Sequence, residues 1–127
     1  MTHGDFHDSQ LLIDDAGAIT GIVDLDGVAP GHRLDDLATM LGRIWTSGRT
    51  TTPGNARFDR YGQELFASFA RHCDPSDLCR RIAGVVFGRA TGPFRVQHPD
   101  WQATALTRIE LAEPWLTAAE AGTPPAS

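Results

Sequence analysis

Three short segments near the start of the chain concentrate the side chains able to do chemistry. They are His3-Gly4-Asp5-Phe6-His7-Asp8-Ser9-Gln10, Ile22-Val23-Asp24-Leu25-Asp26, and Gly31-His32-Arg33-Leu34-Asp35-Asp36-Leu37-Ala38. Carboxylates gathered in one place repel one another, so a bound cation is a natural compensation. Each residue also has a plainer reading. Asp5 fits a turn after Gly4, Asp24 a solvated strand end, and Gln10 a strand-edge amide. His7 reads as a structural loop histidine and Asp35 as a solvated acid in a first helical turn. Asp26 reads equally as a site acid and as an exposed one. The alternation His3-x-Asp5-x-His7 also matches strand ligands of a transition metal, which accepts imidazole and carboxylate together. A glycine after the first histidine and the lack of a downstream histidine cluster count against such a metal hydrolase.

The elements that must position these residues follow from periodicity and turn chemistry. Residues 10–14 and 18–26 predict two strands joined at Asp15-Ala16-Gly17, where glycine can take positive φ. That hairpin would set Gln10 beside Asp24, with Asp5 just upstream, and the three are expected to converge on one open cleft. A helix over residues 34–46 carries Leu34, Leu37, Ala38, Leu41 and Trp45 on one face, and Gly48 should stop it. A loop over 48–55 leads to a second helix over 56–72, with Phe58, Tyr61, Leu65, Phe66 and Phe69 as its buried stripe. Asp74-Pro75-Ser76-Asp77 is a strong start for a third helix: a capping acid, Pro in the first turn, and a further acid. Leu78, Ile82, Val85 and Val86 form its face, and Gly92-Pro93 should end it. A fourth helix from about Asp100 carries Trp101, Ala105, Ile109 and Ala112, and Pro114 should kink or end it. One core is expected from Leu37, Leu41, Trp45, Phe66, Phe69, Ile82, Val86 and Ile109.

The fold class read from this pattern is mainly α with a small β-hairpin, an α+β layout. It is one unit over 1–121, with the polar N-terminal segment and hairpin over 1–26, the helical part over 32–121, and a disordered tail over 122–127. The 127 residues carry a formal net charge of −5, all eleven basic residues are arginine, and there is no lysine. The acidic balance argues against a nucleic-acid partner, which needs a basic face. No apolar run approaches the roughly 20 residues of a membrane helix, so no membrane partner is expected. The N-terminus lacks the pattern of a signal peptide, which points to a cytoplasmic location. Cys73 and Cys79 read as free thiols.

The order His-Gly-Asp, an amide five positions later, an acidic strand end, then Gly and Asp-Leu-Ala resembles the aminoglycoside phosphotransferase family. The family's usual loop is His-Gly-Asp-x-His-x-x-Asn, and Gln10 stands here where Asn is typical. Its usual Gly-Asp-Pro-x-x-Asp-Leu-Ala corresponds to Gly31 through Ala38, with His32 and Arg33 replacing Asp and Pro. The resemblance implies the C-lobe of a protein-kinase-like, choline-kinase-like fold. It implies an ATP- or GTP-dependent small-molecule O-phosphotransferase that uses Mg²⁺. Asp5 would take the proton of a substrate hydroxyl, while Gln10 and Asp24 would hold Mg²⁺. Asp36 would tie the loop to the first helix, and His3 and His7 would brace it.

Such kinases hold the nucleotide phosphates with a lysine and a covering Gly-rich loop, and the sequence contains neither ahead of its motif. The chain therefore reads as the C-terminal part of such an enzyme, with its N-lobe lost or supplied by another chain. On this reading it is inactive alone and prone to self-association. The alternative is a truncated, catalytically inactive remnant that acts at most as a binding module.

Overall fold

The computed structural model describes residues 1–50 and 56–126, the side chains of 48–50 excepted. The chain opens in extended form beside residues 27–31. Thr2 and Ala29 exchange backbone hydrogen bonds of 2.8 and 3.1 Å. A 3₁₀ turn over Asp8–Gln10 leads into β1 (Leu11–Ile13), which pairs antiparallel with β2 (Ile19–Ile22) in the register Leu11↔Ile22 and Leu12↔Gly21. The turn between them closes on one carboxylate oxygen. Asp14 Oδ1 accepts from the N–H groups of Ala16 (3.0 Å) and Ala18 (2.8 Å), with Gly17 at φ +82°. This Asx-type closure draws Asp14 and Ala18 into the turn. The strands are accordingly shorter than residues 10–14 and 18–26.

Six helical segments follow: α1 (Arg33–Thr50), α2 (Ala56–Ala70), α3 (Pro75–Gly88), α4 (Gly92–Arg95), α5 (Trp101–Glu110) and α6 (Glu113–Ala121). The described residues are thus mainly helical with one two-stranded antiparallel sheet. None of their helices is long and apolar enough to cross a membrane. Helix α1 runs through Gly48, which was expected to stop it. Of the loop expected over 48–55, residues 51–55 lie outside the described residues. Asp74 caps α3 by accepting from Ser76 N at 3.0 Å, with Pro75 in the first turn.

Helix α3 is the central element. Leu78, Cys79, Ile82 and Val86 are fully buried between α1 and α6. A Cβ on Gly42 would come within 2.7 Å of Val85 Cγ1, so α1 and α3 approach at a position only glycine fills without displacing the valine. Burial pushes the Cys79 thiol up to about 11, and Cys73 also remains a free thiol.

The buried core contains Leu41, Trp45, Phe66, Ile82 and Val86, with Leu37 and Phe69 partly buried against it. Ile109 does not belong to it and is 37% exposed. The reason is Pro114. Instead of kinking one long helix, it sits in the first turn of α6, while α5 packs on α4 and the turn over Arg89–Thr91. The separate α6 carries Trp115 into the core, edge-on to Trp45 with ring centroids 5.2 Å apart. Gly92-Pro93 likewise opens α4 rather than closing α3.

Phe58 and Tyr61, expected in the buried stripe of α2, are 37% and 48% exposed. Helix α2 meets α1 near Gly62, close to Ile44, and buries Phe66 one turn later. The earlier turn rides at the edge. Residues 122–126, expected to belong to a disordered tail, fold back in the structure. Gly122 ends α6 at φ +66°, and Pro125 is buried with its carbonyl accepting from Gln63 Nε2 at 2.9 Å.

This arrangement ranks two isoleucines. Ile82→Ala should cost about 2–5 kcal/mol of unfolding free energy, because it leaves a cavity in the layer between α1 and α6. Ile109→Ala, at the solvated face of α5, should cost less than about 1 kcal/mol. Urea unfolding of the two variants checks the order, and equal losses would mean that α5 shares the central core.

Candidate active site

The loop at residues 3–5 is shaped by backbone contacts. Gly4 has φ +89°, and a Cβ there would lie 3.0 Å from the carbonyl oxygen of Gly27. Conformation and space both call for glycine. The N–H groups of His3 and Gly4 point into α1. They donate to Asp36 Oδ2 (2.8 Å) and Oδ1 (3.0 Å), so one carboxylate holds two consecutive amides. Asp36 lies in the first turn of α1, where the helix dipole favours an anion. The His3 ring is buried, with Nε2 2.8 Å from the Val23 carbonyl. A carbonyl only accepts, so Nε2 carries the proton. Nδ1 is then a bare acceptor, and it is buried without a partner among the described residues.

From this anchored start the polar side chains follow one another toward the hairpin mouth. Asp5 accepts from Arg43 Nη2 at 2.7 and 2.9 Å. Its Oδ2 lies 3.7 Å from His7 Nε2. Gln10 Nε2 is 3.3 Å from the same His7 nitrogen and donates to Asp24 Oδ2 at 2.9 Å. An amide NH₂ only donates, so in this arrangement His7 Nε2 accepts and the ring proton sits on Nδ1, 3.6 Å from Asp8.

The hairpin fixes the far end of the line. Val23 N donates to Gln10 O at 2.9 Å, one step past the last strand pair. Asp24 then leaves the ladder at φ +62°, the left-handed region. Asp tolerates that conformation better than most residues, and it ends β2 with the carboxylate turned to Gln10. The structure thus places Asp5, Gln10 and Asp24 in one neighbourhood, with His7 between them. Asp5 and Asp24 are exposed and Gln10 is half-buried. Asp26 is exposed and makes no hydrogen bond or ion pair among the described residues. Asp35 is exposed but not simply solvated, because it pairs with Arg81 of α3.

Residues 3–7 are loop rather than strand, so His3, Asp5 and His7 do not alternate on one face. His3 turns toward Val23, and His7 toward Gln10 and Asp5. Among the described residues no group of three or more His, Cys, Asp or Glu side chains is placed to hold a metal ion. The oxygen donors at the hairpin mouth are the Asp24 carboxylate and the Gln10 amide. They are hard ligands of the kind Mg²⁺ takes alongside retained waters and phosphate oxygens.

Arg43 was not singled out by the sequence. It lies seven residues beyond Asp36, two helical turns along the same face of α1. One helix face therefore holds the loop twice, by its backbone through Asp36 and by the Asp5 side chain through Arg43. The i, i+7 spacing of an acid and an arginine after the Asp-Leu-Ala motif was the available signal.

No curated protein and no solved structure gave a match to this chain. The sequence model of the phosphotransferase enzyme family matches residues 1–73, which span the loop, the hairpin, α1 and α2. That is more than half of the 127 residues, and the chain belongs to the phosphotransferase enzyme family.

Proposed function

We propose that this chain is the catalytic-loop part of an ATP- or GTP-dependent O-phosphotransferase of the aminoglycoside phosphotransferase type. It would correspond to the C-lobe of a kinase-like fold and would act on a small hydroxyl-bearing molecule. The observation that carries this reading is the gathering of Asp5, His7, Gln10 and Asp24 at the hairpin mouth, anchored by Asp36.

In this reading Asp5 accepts the hydroxyl proton as the new O–P bond forms and the bond to the departing nucleoside diphosphate breaks. Arg43 orients the Asp5 carboxylate from α1. Asp24 and Gln10 are the residues that would hold Mg²⁺, and the ion when bound neutralises phosphate charge. Gln10 now turns its NH₂ toward Asp24, so its amide must rotate to offer the oxygen. His3 and His7 brace the loop by the contacts already described, and Asp36 sets its height above α1. Phosphoryl transfer needs positioning and charge neutralisation more than covalent help from the protein.

The residues present supply only one side of such a cleft. The sequence has no lysine to grip phosphates. Leu12, Ile13, Ile19, Ile22 and Leu25 are exposed on and beside the hairpin. In our reading this apolar face is where a nucleotide-gripping lobe, or a second copy of the chain, packs. The lack of lysine also favours a second reading, in which the 127 residues alone bind ligand without turnover.

Three outcomes follow. Millimolar Mg²⁺ should shift the NMR resonances of the Gln10 side-chain amide and of Asp24, and Asp24→Asn should abolish those shifts. Tight zinc binding in their place would sink the reading. The 127-residue chain incubated with labelled ATP, Mg²⁺ and a panel of aminoglycosides and simpler alcohols should show no phosphotransfer. Turnover that disappears in Asp5→Asn would show that this half suffices, and in any active longer form that substitution should lower kcat by about 10²–10⁴. Asp36→Ala should cost about 1.5–3 kcal/mol. It should also speed hydrogen exchange at the His3 and Gly4 amides while leaving α3 protected.

A further inference from the structure

The end of α3 holds a feature that the proposed chemistry does not use. Between the end of α3, α4 and the last turn of α5 lies an open recess of about 260 Å³, lined by Gly88, Arg89, Thr91, Gly92, Arg95 and Arg108. Three of its six lining residues are arginines, in a chain with a net charge of −5. No Asp or Glu pairs with any of the three among the described residues. The Nε atoms of Arg89 and Arg108 are buried without a partner, and Arg108 is held in place by donating from Nη1 to the Arg89 carbonyl at 2.8 Å.

Burial, together with the guanidinium groups of Arg43 and Arg108, lowers the pKa of Arg89, while the Asp5 carboxylate acts in the opposite direction. Burial lowers Arg108 as well. Gly42 of α1 lies against Val85 and Val86 of α3, so Arg43, which holds Asp5, and Arg89, one turn beyond Val85, come from the same stretch of that packed pair. Arginines kept together without counter-ions repel one another and lose hydration. The arrangement is costly unless an anion occupies it, and planar guanidinium groups suit the oxygens of phosphate and carboxylate. The recess is wide enough for a phosphate group and open enough to admit a molecule attached to it. It also lies beyond residue 73, outside the stretch that matches the family.

We propose that Arg89, Arg95 and Arg108 form a binding site for a phosphate-sized oxyanion, and that the site receives the phosphate or carboxylate of the hydroxyl-bearing acceptor. The oxyanion site stands on the recess alone, and its assignment to the acceptor rests on the phosphotransferase reading. An acceptor held by its anionic end here would present a hydroxyl toward Asp5. The acceptor class is then a phosphorylated or carboxylated alcohol rather than a polycation.

The test uses the 127-residue chain and needs no turnover. Inorganic phosphate, glycerol phosphate, glycerol and Mg²⁺·ATP are each titrated while the arginine Nε–H resonances are followed by NMR. Wild type should bind phosphate and glycerol phosphate at millimolar concentration and leave glycerol unbound. Arg95→Gln and Arg108→Gln should each weaken the two anions by about tenfold or more, the loss of a charge-assisted hydrogen bond. Arg95 is exposed and makes no hydrogen bond or ion pair among the described residues. Its replacement should therefore leave the fold intact, and in phosphate-free buffer should raise the Tm by removing a repelling charge. Circular dichroism melts read this, and a lower Tm would mark Arg95 as structural and count against the site. Phosphate binding unchanged in both variants, or absent from wild type, would overturn the oxyanion site. A loss of Mg²⁺·ATP affinity in Arg95→Gln, with glycerol phosphate unaffected, would reassign it to the nucleotide. Phosphate bound here with no Mg²⁺ response at Asp24 would sink the phosphotransferase reading and leave the site standing.

Discussion

The Asp36 carboxylate accepts the N–H groups of two successive residues, His3 and Gly4. The rest of the site depends on that contact. Two backbone donors at the start of a loop have no regular partner, and leaving the part-buried His3 N–H unpaired is costly. A single acid from the first turn of α1 satisfies both, which fixes where the loop sits along the helix. Gly4 can then approach Gly27, Thr2 can pair with Ala29, and Asp5 arrives opposite Arg43. The hairpin is short and packs little apolar surface of its own, and a lone hairpin is marginal in water. Its mouth is placed by the same loop, through the His3 ring on the Val23 carbonyl and the Gln10–Val23 pairing.

What was legible in the sequence was whatever rested on local chemistry. The Asp74-Pro75 start of α3, the turn at Asp15-Ala16-Gly17 and the inward face of α1 follow from residue type and spacing alone. So does the neighbourhood of Asp5, Gln10 and Asp24, because an antiparallel hairpin leaves only one way to bring Gln10 and Asp24 together. What was not legible depended on neighbours distant in the chain. Phe58 and Tyr61 keep helical spacing with Phe66, yet only the turn that crosses α1 is buried. Gly48 is a common helix stop that the context overrode. Proline read as a terminator twice where it acts as an initiator, at Pro93 and Pro114. A proline one residue inside a helix and one just beyond its end look alike until the partner helix is known. That ambiguity hid α6 and with it Trp115, the ring that closes the core against Trp45 and Phe66.

Charge shows the same division. The net value of −5 counted against a basic face of the kind nucleic acid needs. In three dimensions half of the sixteen acids lie in the loop, the hairpin and the first turn of α1, while Arg89, Arg95 and Arg108 gather beyond the end of α3. These arginines are six and thirteen residues apart in sequence, a spacing that signals nothing. Only the reversal between α3 and α5 brings them together. A sum over the chain averages away both the basic recess and the acidic mouth.

The Asp5 carboxylate accepts from Arg43 of α1 and lies 3.7 Å from His7, which leads on to the hairpin mouth. The proposed role of Asp5, taking a proton, requires a carboxylate that is held without being neutralised by a buried cation. Arg43 meets it at the surface, with the Asp5 side chain about half exposed. Solvent screens such a pair, so it contributes little to stability and serves mainly to set direction. The loop is thus anchored strongly where no chemistry occurs, at the amides of His3 and Gly4, and only lightly at the carboxylate itself. A rigid main chain beneath an adjustable side chain suits the role proposed for Asp5, in which it would exchange arginine for a substrate hydroxyl.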